Sequence, residues 1–267
     1  MRAPRRFKPR HPHPNPASNT SWEPVSDWYG AHIKEKHTLQ DDIVFPGALR
    51  LLKPTNGERY LDIACGEGSF LKRLGKTRGV KLAGLDAAPS LITLAKRNAP
   101  PGTELFIEDA TKFSHRFAAN SFDAASCILA MQNIKNMAAV FRETARVLKP
   151  GGRFVMVLNH PVLRIPRQSA WGWDEARKLQ FRRIDRYMTE LDIPIQAHPG
   201  RAPGVKTTSF HRPLQSYVSA LAQNGFVIDA LEEWTSNRES KPGGRSRAEN
   251  LSRAEIPLFL ALRAVKK

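Results

Sequence analysis

The sequence predicts an α/β fold built on a mostly parallel sheet, and three observations carry that expectation. Tyr60-Leu61-Asp62-Ile63-Ala64 is short and apolar, like a strand buried on both faces, and it breaks at Gly66 and Gly68. Phe70-Leu71-Lys72-Arg73-Leu74 follows at helical spacing, and strand-like and helix-like runs then alternate along the chain. Acidic residues stand in or just after three successive strand patterns, at Asp62, Asp86 and Asp109. The 267 residues are enough for one large domain with an ample core, and no internal repeat is visible.

Strand, glycine turn and helix together present helix N-terminal N–H groups to a ligand, and the glycines leave no Cβ between loop and ligand. A dinucleotide is one such ligand. The third glycine of the dinucleotide pattern would fall at Leu71 and is absent. Asp62 and Glu67 would also set two negative charges against a pyrophosphate. They suit a ligand that carries an ammonium and a sulfonium.

On Asp62, Gly66 and Gly68, with Ala64 in place of the first glycine, this stretch resembles the first motif of the class I S-adenosylmethionine-dependent methyltransferases. Leu148-Lys149-Pro150-Gly151-Gly152 resembles a turn of their ubiquinone-biosynthesis type, and the likeness is clear over residues 55–160. The resemblance implies a Rossmann-like three-layer sandwich: a seven-stranded, mostly parallel sheet with an antiparallel edge strand and helices on both faces. It implies S-adenosylmethionine as cofactor. It assigns Asp62, Ala64, Gly66 and Gly68 to the binding loop, and Asp86 to the ribose hydroxyls. Asp109 and Ala110 fall to the adenine, Met131 to the wall after the fourth strand, and Tyr29 to the methionine end. Packing of Tyr29 on the sheet is the alternative there. Taken singly, Asp86 and Asp109 would also serve as helix caps.

Taken in order, Met1–Thr20 is a low-complexity tail with Arg2, Arg5, Arg6, Lys8 and Arg10 and no acid, and it is expected to be disordered. From Ser21 to residue 267 the chain reads as the methyltransferase domain. Two short helices are expected before the first strand, the second around Ile43 to Leu52. Strands follow at 80–85, 103–107, 121–129 and 153–158, with helices from Pro89 and around Val140 to Leu148. Residues 160–211 then form a long irregular insertion, read as a substrate lid. A helix with Leu214, Val218 and Leu221 on its apolar face, a strand from Phe226, a polar loop to about Arg253 and a last strand at 256–262 complete the chain. The family places that last strand at the antiparallel edge.

Methyl transfer from a sulfonium is an in-line displacement, and positioning alone supplies roughly 7–11 kcal/mol of such a barrier. A base is needed only if the acceptor must lose a proton. His160 and His211, at the two ends of the insertion, are the candidates, with structural packing as the alternative. Arg164, Arg167 and Arg212, with Trp171, are candidates to hold the acceptor, a carboxylate in particular. Arginines paired with Asp174 or Glu190 are the alternative. Methyltransferases acting on nucleobase amino groups often carry an Asn/Asp-Pro-Pro-aromatic motif after the fourth strand; none stands here, so the resemblance implies oxygen or carbon as the acceptor atom rather than an amino nitrogen.

Lys and Arg number 42 against 25 Asp and Glu, a net charge of +17, and the excess collects in the tail and in residues 151–212. The leading expectation is a small-molecule methyltransferase. An RNA or protein methyltransferase is the second reading, favoured by the basic segments, and a non-catalytic assembly protein of the same fold is the third. The two cysteines, Cys65 and Cys127, exclude a disulfide scaffold and point to a reducing, cytoplasmic setting. No apolar run reaches membrane-spanning length, no signal-peptide core follows the basic start, and no metal site is expected.

Overall fold

The computed structural model describes residues 38–196 and 206–267. The tail 1–20, the first of the two short helices and Tyr29 lie outside the described residues.

A seven-stranded sheet forms the middle layer. Its strands are β1 (Arg59–Ile63), β2 (Lys81–Asp86), β3 (Glu104–Ile107), β4 (Phe122–Ile128), β5 (Leu148–Asn159), β10 (Phe226–Trp234) and β11 (Phe259–Lys266). The spatial order is β10-β11-β5-β4-β1-β2-β3. β3 through β5 run parallel, and β11 is antiparallel to both β5 and β10. The last strand is antiparallel as expected; it lies one place in from the rim, where β10 forms the edge. Pro257 precedes β11, so no ladder bond is lost to it.

The alternation of side chains along each buried strand builds two cores. Leu61 and Ile63 of β1 pack with the layer of α4 (Met137–Val147) and α5 (Leu214–Gln223). Tyr60 joins the opposite layer, made by α1 (Phe45–Leu52), α2 (Ser69–Leu74) and α3 (Pro89–Asn98). On α5 the buried side chains are Tyr217, Ala220 and Leu221, while Val218 faces outward and is 37% exposed. Lys149 to Gly152 bulge from the start of β5, where the register with β4 skips from Phe122/Leu148 to Ala124/Arg153 and Gly151 has φ 74°.

Two segments differ from the sequence expectation. The polar stretch before β11 contains α6 (Ser246–Glu255), whose only buried residue is Ser252, so no apolar stripe announced it. Residues 160–211 are largely ordered into two antiparallel ribbons, β6 (Ser169–Asp174) with β7 (Leu179–Ile184), and β8 (Leu191–Gln196) with β9 (Lys206–His211). Among the described residues no helix is long and apolar enough to cross a membrane.

Strand order reverses between β1 and β4, with β2 and β3 on one side and β5 on the other. In open α/β sheets that switch point opens a crevice beyond the carboxyl ends of the strands, where ligands bind.

Candidate cofactor site

The crevice is occupied by the turn after β1. Ala64 (φ 55°), Gly66 (φ 56°) and Gly68 (φ 84°) all sit in the left-handed region, so the chain reverses within five residues. Ala64 holds this conformation despite its Cβ, a strain of about 1–2 kcal/mol of the kind concentrated at ligand-binding loops. At Gly68 a Cβ would meet Ala95 of α3 at 3.3 Å, so this glycine lets α2 and α3 approach. The loop is tied to its neighbour by Asp86, whose Oδ2 accepts from Gly66 N–H at 3.0 Å and whose Oδ1 accepts from Ala88 N–H at 2.9 Å. At the next strand end, Asp109 Oδ1 accepts from both the N–H and the hydroxyl of Thr111, at 2.8 Å each.

These turns frame a cleft of about 460 Å³, within the usual span of small-ligand pockets of about 300–1,000 Å³. Ala64, Gly66, Asp86, Asp109 and Ala110 line it from the β1–β3 side, and Leu129 and Asn133 from beyond β4. Thr208 and Phe210 of β9 close it from above. A smaller recess continues past the loop between Asp62, Glu67 and Ser69 on one side and Gln40 and Phe45 on the other. Arg73 of α2 pairs with Asp41 and lies 4.4 Å over the Phe45 ring, which fixes that wall to the glycine-loop helix.

The recess is electrically unbalanced. Asp62 is 2% exposed and accepts from the Ser126 hydroxyl at 2.7 Å. Burial pushes its pKa up to about 7; the Ser126 bond opposes the rise, and the Glu67 and Asp86 charges add to it. Glu67 is also raised, chiefly by burial, and its buried Oε1 has no hydrogen-bond partner among the described residues. A buried carboxylate oxygen without a donor, beside a carboxyl held near neutrality, is what an ammonium-bearing ligand would satisfy. These carboxylates fit the chemistry of S-adenosylmethionine, whose ammonium and hydroxyl groups need acceptors. Burial pushes both Cys65 and Cys127 thiols up, and both are free, so neither is an activated nucleophile.

Several sequence-predicted site residues are placed elsewhere. Met131 follows β4 as expected but is fully buried in the core, and Leu129, Ala130 and Asn133 supply the wall instead. His160 is buried with both ring nitrogens committed: Nδ1 accepts from the N–H groups of Val162 and Leu163 at 3.3 Å, and Nε2 bonds Glu233 at 2.7 Å. It caps the turn after β5 and does not line the cleft. His211 is excluded by strand parity: Thr208 and Phe210 face the cleft, so Thr207, Ser209 and His211 point to the opposite, buried face. There His211 Nε2 bonds the Tyr187 carbonyl at 2.7 Å, and burial lowers its pKa.

Arg212 is buried and donates to the carbonyls of Ile134 and Lys135, so it props the cleft wall from behind. Arg167 is exposed in a turn with φ 60°. Arg164 and Trp171 do come together, but in a second pocket that also contains Arg182. Neither Asp174 nor Glu190 pairs with the predicted arginines; Asp174 meets Arg177, and Glu190 accepts from Ser216. Thr208 and Phe210 were missed because one strand's polar–aromatic alternation does not reveal which face meets a cleft built some seventy residues earlier.

Residues 61–156 match the model of a family described as a methyltransferase domain. A demethylmenaquinone methyltransferase of Tropheryma whipplei (strain Twist) is 32% identical over 124 residues, covering 46% of this chain and 51% of that protein. A ubiquinone biosynthesis O-methyltransferase of Xylella fastidiosa is 28% identical over 145 residues, 51% of this chain and 56% of that one. The chain thus spans about half the length of the curated relatives it matches. The crystal structure of an S-adenosylmethionine-dependent methyltransferase from Mesorhizobium loti superposes with a TM-score of 0.68 at 26% identity, covering 86% of this chain and all of that one.

Proposed function

We propose that this chain, whose residues 61–156 belong to the class I S-adenosylmethionine-dependent methyltransferases, transfers a methyl group to a small apolar acceptor at oxygen or carbon. The observation that carries the proposal is the buried Asp62–Glu67 recess beside the glycine loop, adjoining a cleft whose far wall sets the apolar Leu129, Ile134 and Phe210 among the polar Asn133, Lys135 and Thr208. The cofactor supplies a methyl group on a cationic sulfur. The chain's part is to hold the amino group with Asp62 and Glu67, the ribose with Asp86 and the base with Asp109 and Ala110. Leu129, Ile134 and Phe210 then offer the acceptor apolar contact.

Neither His160 nor His211 faces the cleft, and this reading assigns the transfer to alignment of the two substrates. That suits an acceptor whose hydroxyl is acidic, such as a phenol, or an electron-rich ring carbon. The names of the relatives, a demethylmenaquinone methyltransferase and a ubiquinone biosynthesis O-methyltransferase, support acceptors of the quinone-precursor class. Residues 160–211 act as the cover in this reading, and among the described residues it is Thr208 and Phe210 of β9 that reach the cleft. The two buried free thiols support a reducing, cytoplasmic setting.

The test is calorimetric titration with S-adenosylhomocysteine, followed by transfer of radiolabelled methyl to a panel of phenols and hydroquinones. Micromolar binding with labelling of at least one acceptor supports the proposal, and absence of cofactor binding would refute it. The net charge of +17 favours RNA as the second reading. Labelling of RNA in place of the panel, with affinity falling steeply as salt rises, would select it.

A further inference from the structure

A second pocket, of about 260 Å³, opens where the turn after β5, the β6–β7 ribbon and the segment before β11 meet. It shares no lining residue with the cleft described above. Its walls are the apolar Leu163, Ile256 and Leu258 and the indole of Trp171, and its charges are Arg164 and Arg182. Among the described residues no acidic side chain lines it.

Both guanidiniums lack a counter-ion among the described residues. Arg164 donates to the Leu258 carbonyl at 3.5 Å and lies 5.4 Å from the Phe259 ring centre. Arg182 donates to the Leu163 carbonyl at 2.7 Å and to the Ser169 hydroxyl at 2.8 Å, with its carbon 5.1 Å over the Trp171 ring. Elsewhere in the chain Arg50, Arg59, Arg73, Arg153 and Arg263 each meet a carboxylate. Burial foremost, and then the charge of Arg182, lowers the pKa of Arg164, so the fold holds two cations together at a cost. Arg182 is locked in place by its two neutral acceptors and the indole. Arg164 is held by one long bond.

We propose that this pocket binds an oxyanion, the carboxylate or phosphate of a ligand with a small apolar body, at a site separate from the methyl-transfer cleft. An anion between the two guanidiniums removes their repulsion and accepts charge-assisted hydrogen bonds from both. The Trp171 indole and the leucine and isoleucine side chains contact the ligand's apolar part. This inference does not depend on the methyltransferase reading.

Benzoate and inorganic phosphate are the probes, titrated by calorimetry in a fixed chloride background that saturates loose surface binding on a basic chain. Two-dimensional NMR of the indole N–H groups, with Trp171 assigned through Trp171→Phe, reports the location. The expected result is saturable binding of at least one probe, a shift of the Trp171 signal on the same curve, and an affinity at least about tenfold weaker in Arg164→Gln. Preference for benzoate identifies a carboxylate on a ring, and preference for phosphate identifies a phosphoryl head. Arg164→Gln should also unfold at the parent temperature or above it, because its removal relieves the repulsion. Arg182→Gln is the poorer variant, since two structural bonds are lost with it. Absence of binding, binding unchanged in Arg164→Gln, or an unmoved Trp171 signal at saturation would overturn the proposal, as would a lowered melting temperature with anion affinity intact.

Discussion

Replacing Asp62 by Asn removes a charge that the fold carries at a cost when no cofactor is bound. The carboxyl is 2% exposed, and its pKa rises from 3.8 to about 7, mainly through burial. Between those values the folded chain holds a proton that the unfolded chain has released. The associated stability is therefore complete below pH 3.8 and is lost as pH climbs to about 7. At about 1.36 kcal/mol per pH unit, full ionisation costs at most about 4 kcal/mol. Asn keeps an oxygen for the Ser126 hydroxyl and cannot ionise. In thermal unfolding without cofactor, Asp62→Asn should melt above the parent at pH 8, and the gap should close as pH falls toward 4. Cofactor affinity should move the other way, about 10- to 150-fold weaker, because the ammonium loses a charged acceptor. Binding to the parent near pH 6 should also release a proton, visible by calorimetry in buffers of different ionisation enthalpy. A variant that melts below the parent at pH 8 would show that the Asp62 charge stabilises the free protein, and the argument that its carboxylate serves a cationic ligand would fail.

Three further outcomes follow from the same geometry. Asp86→Ala takes an acceptor from Gly66 and Ala88 together and should weaken S-adenosylhomocysteine by about 1–3 kcal/mol by calorimetry; unchanged affinity would remove Asp86 from the site. Phe210→Ala should raise the KM for the acceptor while His211→Phe leaves it unchanged, and the reverse pattern would invert the assignment of the β9 faces. His160→Ala strands the N–H groups of Val162 and Leu163 and should cost about 1–3 kcal/mol in denaturant unfolding. Its methyl transfer per folded molecule should stay at the parent level, and a selective loss of turnover would return His160 to the chemistry.

Local order explains what could be read directly from the sequence. The strand, the glycine turn and Asp62 lie within a few residues of one another; Asp86 ends its strand and Asp109 comes two residues after the end of the next, so both are delivered to one edge of the sheet. A parallel sheet brings its carboxyl ends together by construction, so spacing along the chain translated into proximity. Tertiary structure alone decided the rest. Whether His211 or Phe210 meets the cleft depends on how a ribbon from residues 191–211 lies over a turn at 131–133, and a rotation by one residue exchanges the two. His160 resembled a base until Glu233, seventy-three residues away, and two local N–H groups took both its nitrogens. Arg164 and Arg182 are eighteen positions apart in a segment without clear periodicity, and only the folding of β6–β7 against the approach to β11 places them in one pocket without an acid. Short-range pattern fixes backbone form and strand ends. Which side chains share a cavity is fixed by packing between segments distant in sequence, and burial then sets their charge.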